Sequence, residues 1–312
     1  MGTEHALSNV CEIIESALLQ RGYCLAISLD CKGAFNEISF ESVLKNMHRI
    51  GIDKGIITLN EDFLKNRRVN FTHKGISLAV YCSSGVPQGG VWASQQFALC
   101  IDGLHEAIDR LHQPKKVTLT SSGYADDVIL MTSSKNLKEV YRHMQFAIEV
   151  CCRWAVQNKL EFSSSKTKAL LFTRKDDYLD KISKYQVTIN QTPIEMVTTI
   201  KHLGLHFDRN HFFTEHFRIV TNKAKSAICR SANLMSTVNG CRPKTQLLWY
   251  KSFIRPILTY ASVCWAKRLE FQVARDKLNQ IQRFAFSTMG LIRRNTPVAS
   301  LELILNTKPL DL

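Results

Sequence analysis

The sequence predicts an α+β fold over its first two-thirds, followed by an all-α lobe. Short apolar runs typical of strands alternate with segments of helical period up to about residue 210. From Thr214 onward the apolar spacing is helical throughout, which predicts helices over about 215–238, 244–266, 271–289 and 298–305. We therefore expect two domains, residues 1–211 and residues 212–312.

Composition indicates an ordinary globular chain. Of 312 residues, 45% are hydrophobic and 22% are charged, and no apolar stretch approaches the roughly 18 residues that a membrane helix needs. The first 20 residues lack the basic-then-apolar order of a signal peptide. Ten cysteines are scattered without a Cys-x-x-Cys pair, so we expect free thiols in a reducing intracellular compartment, the nucleus, the cytoplasm or both, and no membrane partner.

Positive charge is concentrated in the second predicted domain. The whole chain carries +14, but residues 212–312 hold 16 Lys and Arg against 5 Asp and Glu, which leaves only +3 on residues 1–211. A basic lobe is suited to the phosphate backbone of a nucleic acid, although a solvated helical face would have the same composition.

The first domain opens with an amphipathic helix over 4–20 and a buried-type strand over 25–30 that ends on Asp30. Helices are predicted from Ser39 to Ile50, closed by Gly51, and over 54–65, with one short β segment around 69–80. The loop Ser84-Gly85-Val86-Pro87-Gln88-Gly89-Gly90 follows, where glycines on both sides of a proline let backbone approach a ligand closely. A helix then runs to about residue 111.

Tyr124-Ala125-Asp126-Asp127 is predicted to lie at the tip of a β-hairpin, because strand-like runs flank it on both sides. Two adjacent carboxylates repel each other and raise each other's pKa unless a cation neutralises them. Most Asp-Asp pairs are solvated turn residues, but on a rigid tip the pair indicates a site for a hard metal such as Mg²⁺.

Beyond the hairpin we predict a helix over 137–159, a strand over 169–173, and strands near 185–190 and 200–207 with a turn at Pro193. Four histidines follow one another closely at His202, His206, His211 and His216. Their spacing fits no common zinc pattern, so polar residues between a strand and a helix are the favoured interpretation.

Asp30 and the Asp126-Asp127 pair each lie at a strand end in one predicted sheet. Neighbouring strands would bring the three carboxylates together, and such a cluster can hold two divalent cations for in-line phosphoryl transfer.

Five motifs now carry a resemblance to a known family. They occur in the order of motifs A to E of reverse transcriptases: Asp30-Cys31-Lys32-Gly33-Ala34-Phe35-Asn36, Gly85-Val86-Pro87-Gln88-Gly89, Tyr124-Ala125-Asp126-Asp127, Lys166-Thr167-Lys168 and Leu203-Gly204-Leu205. The chain resembles non-LTR, LINE-type retrotransposon enzymes of the insect I/R1/Jockey-like group. That resemblance implies a palm domain, an antiparallel sheet with helices on one face and a residual fingers segment, followed by a thumb-like lobe.

The resemblance also implies roles for individual residues. Asp30, Asp126 and Asp127 would bind two Mg²⁺ ions, with Mn²⁺ as a substitute, and Lys166 would be a catalytic acid, with Lys168 as its competitor. Phe35 would exclude a 2′-hydroxyl, and Gln88, Gly89 and Tyr124 would contact the substrate. Leu203 and Gly204 would belong to the primer grip. The implied partners are an RNA template, a DNA primer and deoxynucleoside triphosphates.

Several features depart from the family pattern. Gln95 and Gln96 stand at helix positions that are usually apolar, and Asn36 replaces a more frequent Asp. The resemblance begins just before motif A, so most of the fingers, an endonuclease and an RNase H domain are expected to be absent. An RNA-directed DNA polymerase is the main hypothesis. The alternative is a truncated, inactive relative that retains nucleic-acid binding; a palm-fold cyclase would leave motif B and the helical lobe unexplained.

Overall fold

The computed structural model describes residues 2–111, 116–175, 184–236, 239–291, 296–297, 300, 302–303, 305–307 and 310. The chain divides into two compact units, Met1–Leu203 and Gly204–Leu312. None of the helices in the described ranges combines the length and apolar character needed to cross a membrane.

The first unit mixes helices and strands, as the sequence predicts. Its helices are α1 (Thr3–Leu19), α2 (Ala34–Glu37), α3 (Phe40–Arg49), α4 (Lys54–Lys65), α5 (Ala93–Asp109) and α6 (Leu137–Gln157). Its longer strands are β1 (Tyr23–Leu29), β2 (Arg68–His73), β3 (Ile76–Tyr81), β4 (Thr118–Tyr124), β5 (Asp127–Ser134) and β6 (Lys168–Phe172). Shorter strands follow: β7 (Thr188–Ile189), β8 (Thr192–Pro193), β9 (Glu195–Met196) and β10 (Thr199–His202).

The central sheet has the strand order β4-β5-β1-β6-β9. β1 pairs antiparallel with both β5 and β6, β4 pairs antiparallel with β5, and only the short β9 runs parallel to its neighbour β6. The predicted α+β class with an antiparallel-dominated sheet is confirmed. β1 is apolar along nearly its whole length because both of its faces are covered.

Helices cover the sheet on opposite sides. Side chains of Tyr23, Leu25 and Ile27 join the main core together with α3, α5 and α6. The intervening Cys24 and Ala26 are also fully buried, and successive side chains of a strand point to opposite faces. Because α1 packs on β1, β4 and β5 with its own buried stripe, it supplies the cover for that second face. The family resemblance implies an antiparallel sheet with helices on one face, and the structure adds the position of α1 on the opposite face.

β2 and β3 form a separate hairpin, in place of the single β segment expected around 69–80. All twelve of its strand residues are exposed.

The second unit is mainly helical. It contains β11 (Leu205–Asp208), α7 (Thr214–Ser231), α8 (Pro243–Trp249), a π-helix (Tyr250–Ile254), α9 (Arg255–Thr259), α10 (Ser262–Trp265), a 3₁₀ helix (Ala266–Glu270) and α11 (Gln272–Thr288). Half of the residues in the helix predicted over 298–305 lie outside the described residues.

The single helix predicted over 244–266 is wrong, because the chain breaks it into several short pieces. Pro256 lacks an N–H to donate and its ring crowds the preceding turn, and the wider π-helix lies immediately before it. Ala261 then adopts a positive φ of 55°, which ends the regular helix before α10.

Histidines 211 and 216 are buried among aromatic rings within the second unit. The His211 ring lies 4.5 Å from that of Phe213, and His216 lies 6.5 Å from Trp265. Within the part of the chain that the structure describes, no three His, Cys, Asp or Glu side chains gather as a metal cluster. Burial lowers the pKa of His216 to about 4, with a further contribution from His206.

We predict that the second unit loses stability as the pH falls from about 6.5 toward 4. The unfolded His216 binds a proton near its ordinary pKa of about 6.5, whereas the folded side chain resists protonation until about pH 4. Urea unfolding followed by tryptophan fluorescence should show a smaller pH dependence in His216→Phe. His5→Gln, at an exposed position, is the matched control, and equal pH dependence in all three proteins would contradict the prediction.

Candidate active site

The hairpin that carries the aspartate pair is present as predicted. Tyr124, the last residue of β4, pairs with Asp127, the first residue of β5, so Ala125 and Asp126 form a two-residue turn. Ala125 has a φ of 56°, a conformation that costs free energy for a residue with a Cβ. The tip is therefore a tight turn with strained backbone, and it presents Asp126 and Asp127 at the surface.

Strand pairing brings Asp30 to the same end of the sheet. Leu29, the last residue of β1, pairs with Val128 on β5, so Asp30 follows β1 next to the position of Asp127. Backbone contacts fix Asp30 further: its carbonyl accepts a hydrogen bond from the Ser163 N–H at 2.8 Å, and its own N–H donates to Thr167 Oγ1 at 3.4 Å.

The charges of Asp30 and Asp126 act on the carboxyl group of Asp127. The pKa of Asp127 is raised first by partial desolvation of its carboxyl group, then by the negative charges of Asp126 and Asp30, while Lys201 opposes the shift. Burial raises the pKa of the neighbouring Cys31 to about 11, and the charges of Asp30 and Asp126 contribute to that rise as well. The negative charges of Asp30 and Asp126 thus both act on the carboxyl group of Asp127 and on the thiol of Cys31.

One oxygen of this cluster lacks a hydrogen-bond donor. Asp30 Oδ2 is buried and accepts no hydrogen bond, although Lys166 Nζ lies 3.6 Å away. A buried, under-satisfied carboxylate oxygen beside two further carboxylates suits a divalent cation with a preference for oxygen ligands. The donor chemistry therefore fits Mg²⁺, although no three of the described acidic, histidine or cysteine side chains are already gathered around a single point.

The two candidate lysines of motif D differ in their surroundings. Lys168 Nζ forms an ion pair with Glu195 on the neighbouring strand β9. Lys166 Nζ faces Asp30, and its side chain is largely exposed. Of the two, Lys166 is the one that stands beside the carboxylates.

Phe35 lies on the short helix α2, five residues after Asp30. Its ring stacks on that of Phe97 from α5, with 4.8 Å between the centroids and an angle of 27° between the planes. Because Phe35 is only partly buried, one part of the ring rests on the core and another part faces outward.

The loop with Gln88 and Gly89 is fastened to α2 by its first residues. The N–H of Val86 donates to Phe35 O at 2.7 Å, and the N–H of Gly85 donates to Ile38 O at 2.8 Å. A Cβ at Gly85 would lie 2.5 Å from Asn36 O, and the φ of Gly85 is +80°. Motif B is thereby held against motif A, with Gln88 and Gly89 exposed beyond this anchor.

The two unusual glutamines have different environments. Gln95 is exposed, so its polarity costs nothing. Gln96 is 1% exposed, and its Nε2 donates to Asn60 Oδ1 on α4 at 2.5 Å while its Oε1 has no hydrogen-bond partner. The expected cost of a buried unpaired amide, about 1 to 3 kcal/mol, is thus reduced by a partner that the sequence pattern did not reveal. In the sequence, Asn60 lies on the apolar face of α4 between Ile57 and Leu64. A polar residue at such a position indicates a buried hydrogen-bond partner for Gln96.

Leu203 and Gly204 lie at the boundary between the two units. Leu203 has a φ of 46° and Gly204 a φ of 81°. A Cβ at Gly204 would lie 3.1 Å from the Tyr260 ring, so this turn needs glycine on two counts. Nothing in this geometry tests a primer-grip role, which stays a prediction. Lys201, which acts on Asp127, is a further residue that the sequence motifs did not single out.

Comparison with known proteins agrees with this arrangement. The model of the family "Reverse transcriptase (RNA-dependent DNA polymerase)" matches residues 3–207, about two-thirds of the chain. The chain belongs to the reverse transcriptase family. All the carboxylates described above lie within the part that carries the family pattern.

Curated relatives of this reverse transcriptase chain come from insect mobile elements. The Pol polyprotein of the type-1 retrotransposable element R1 of Nasonia vitripennis is 23% identical over 73% of this chain and 66% of its own length. The RNA-directed DNA polymerase from the mobile element jockey of Drosophila funebris is 23% identical over 90% of this chain and 30% of its own. The probable RNA-directed DNA polymerase from the transposon X-element of Drosophila melanogaster is 23% identical over 94% and 32%.

The predicted resemblance to non-LTR retrotransposon enzymes is confirmed by these relatives. The chain spans between 30% and 66% of their lengths. Among solved structures, an apo telomerase from Candida tropicalis truncated from its C-terminal domain matches 67% of this chain and 39% of its own, with 11% identity and a TM-score of 0.49, too low to bear on function.

We predict that Gly85→Ala destabilises the first unit more than Gly89→Ala. Both glycines have a positive φ, +80° and +83°, so an alanine at either position is destabilised by about 1 to 2 kcal/mol through the left-handed backbone conformation. Only at Gly85 does the new Cβ meet backbone, which should add about 1 to 3 kcal/mol of overpacking. Equal free energies of unfolding in urea for the two variants would contradict this prediction.

Proposed function

We propose that this chain catalyses RNA-directed DNA synthesis: transfer of a nucleotide from a deoxynucleoside triphosphate to a primer 3′-hydroxyl on an RNA template. The observation that carries the proposal is the convergence of Asp30, Asp126 and Asp127 at one end of the sheet, with Asp30 Oδ2 buried and without a donor. Family membership supports the same reaction class.

In the reaction, the 3′-hydroxyl of the primer loses its proton to solvent water, its oxygen forms a bond to the α-phosphorus, and the bond from that phosphorus to the pyrophosphate oxygen breaks. Two Mg²⁺ ions, when bound, would lower the pKa of the 3′-hydroxyl and offset the charge that develops on the phosphates. Asp30, Asp126 and Asp127 are the residues proposed to hold them. Mn²⁺ has the same preference for oxygen ligands and is expected to substitute.

Other residues of the first unit would position the reactants. Lys166 stands beside Asp30 and is proposed to supply a proton to the departing pyrophosphate. Phe35 is proposed to lie beneath the incoming sugar, where its ring, supported by Phe97, would leave no room for a 2′-hydroxyl. Gln88, Gly89 and Tyr124 are exposed near these elements and are proposed to contact the nascent base pair.

A second candidate function is nucleic-acid binding without synthesis. The observation that favours it is the charge of the second unit, where residues 212–312 alone carry +11. Phosphate contacts of this kind give salt-dependent affinity and need no metal. Substitution of a carboxylate distinguishes the two candidate functions, because only DNA synthesis requires the three carboxylates.

Asp126→Asn should lower primer extension on an RNA template by at least about 100-fold, because it removes a charged ligand from the proposed ion site. Binding of the same primer–template should persist, since the substitution leaves the basic second unit unchanged. Asp109→Asn, at the exposed end of α5, is the matched control and should extend normally. Absence of extension by the unmodified chain with both Mg²⁺ and Mn²⁺, while binding persists, would favour the second candidate function.

Phe35→Val should shift the sugar preference of the polymerase. A smaller side chain leaves space for a 2′-hydroxyl, so the ratio of kcat/KM for deoxy- over ribonucleotides should fall by at least about 10-fold. Steady-state incorporation of each nucleotide measures this ratio. Phe63→Val, at a half-exposed phenylalanine of α4, should leave the ratio unchanged, and a similar fall in both variants would refute the proposed role of Phe35.

A further inference from the structure

A groove of about 260 Å³ on the second unit is lined by aromatic and cationic side chains. It lies between the start of α7 and the start of α11, and its walls include Phe212, Phe217, Arg268, Phe271, Val273 and Lys277. Phe212 is 47% exposed and Phe271 is 59% exposed, so two phenylalanine rings of this groove face solvent. All of these residues lie outside the match to the family model, which ends at residue 207.

Arg268 organises the aromatic walls of this groove. Its guanidinium carbon lies 4.6 Å from the centroid of the Phe212 ring and 6.0 Å from that of Phe271. Its Nη2 also donates a hydrogen bond to His211 O at 2.7 Å. The arginine is therefore fixed between backbone and rings, and a cation–π contact holds each ring in place at the rim.

The charged side chains that line the groove are basic, and Asp208 accepts hydrogen bonds from the backbone N–H groups of two lining residues, Phe212 at 2.7 Å and Thr214 at 2.8 Å. Arg268 and Lys277 line it, and none of its lining residues is acidic. Asp276, on the adjacent turn of α11, accepts a hydrogen bond from Gln272 at 2.7 Å, and Glu270 is exposed next to Phe271 without lining the groove. Positive charge beside exposed aromatic faces is complementary to a ligand that combines negative charge with flat rings.

We propose that this groove binds unpaired nucleotides of a single-stranded nucleic acid, with bases against Phe212 and Phe271 and phosphates at Arg268 and Lys277. Base faces are free to stack on protein rings in a single strand, whereas in a duplex they are covered by neighbouring bases. The proposal goes beyond polymerisation, because this site requires neither the carboxylates nor a nucleotide substrate.

The test is binding of short fluorescent oligo(dT) and oligo(rU), compared with a duplex of equal length, measured by anisotropy without nucleotides. Phe271→Ala and Phe212→Ala should each weaken single-strand binding by about 5- to 100-fold, as expected for loss of one stacked base. Phe253→Ala removes a similarly exposed ring, 64% exposed, that does not line the groove, and it should bind like the unmodified chain. The DNA and RNA oligonucleotides show which strand is preferred.

Substitutions at Phe271 and Lys277 separate base stacking from a merely apolar contact. Phe271→Trp should retain binding and Phe271→Leu should lose it, because only the first keeps a flat π-face. Lys277→Gln should reduce the slope of log affinity against log salt by about 0.7, the value for one phosphate contact to a single strand. Thermal unfolding checks that each variant is folded.

The proposal is overturned if Phe212→Ala and Phe271→Ala bind single strands as the unmodified chain does. It is equally overturned if these two variants lose as much affinity for the duplex as for the single strand. Tolerance of Phe271→Leu would also overturn it, since the groove would then make an apolar contact of the kind that a protein partner provides.

Discussion

The register of β1 against β5 is the constraint on which the candidate site depends. Leu29 pairs with Val128, and this pairing sets Asp30 beside the hairpin tip that carries Asp126 and Asp127. A slip of one residue would turn every side chain of β1 to the opposite face. Both faces of β1 are packed, so Leu25 and Cys24 resist such a slip together. Burial of the strand thus holds the carboxylates near one another despite their mutual repulsion.

The second constraint is a chain of contacts from the core to the loop of motif B. Gln96 and Asn60 join α5 to α4 inside the core, and the next residue of α5, Phe97, stacks on Phe35. Backbone hydrogen bonds then tie Val86 and Gly85 to the segment that contains Phe35. The proposed sugar contact at Phe35 and the proposed base-pair contacts of the motif B loop are consequently linked by packing. A substitution in α5 would therefore affect both.

The sequence correctly predicts helices and turns whose ends are set by neighbouring residues, such as a capping side chain or a tight turn. The helix over 54–65 has the predicted bounds because Asp53 caps its start, and the hairpin tip follows from strand-like runs on either side of a tight turn. The break in the helix predicted over 244–266 was missed, although Pro256 was its local signal, because the apolar period continues across it. The partner of Gln96 is non-local: residues 36 positions apart meet only once α4 and α5 pack, and no periodicity in either helix specifies that pairing.

The placement of charge separates chemistry from binding. The proposed reaction depends on three carboxylates within residues 1–203, whereas most of the excess positive charge, and the aromatic groove formed around Arg268, lie in residues 204–312. In the proposed reaction, loss of one carboxylate removes a metal ligand, while in the proposed binding, loss of one lysine removes a single phosphate contact among many. Substitutions of basic residues in the second unit would therefore lower the proposed nucleic-acid affinity gradually. Under the proposed function, a change at Asp30 or Asp126 ends synthesis and leaves binding intact, so activity and affinity are to be measured on the same variants.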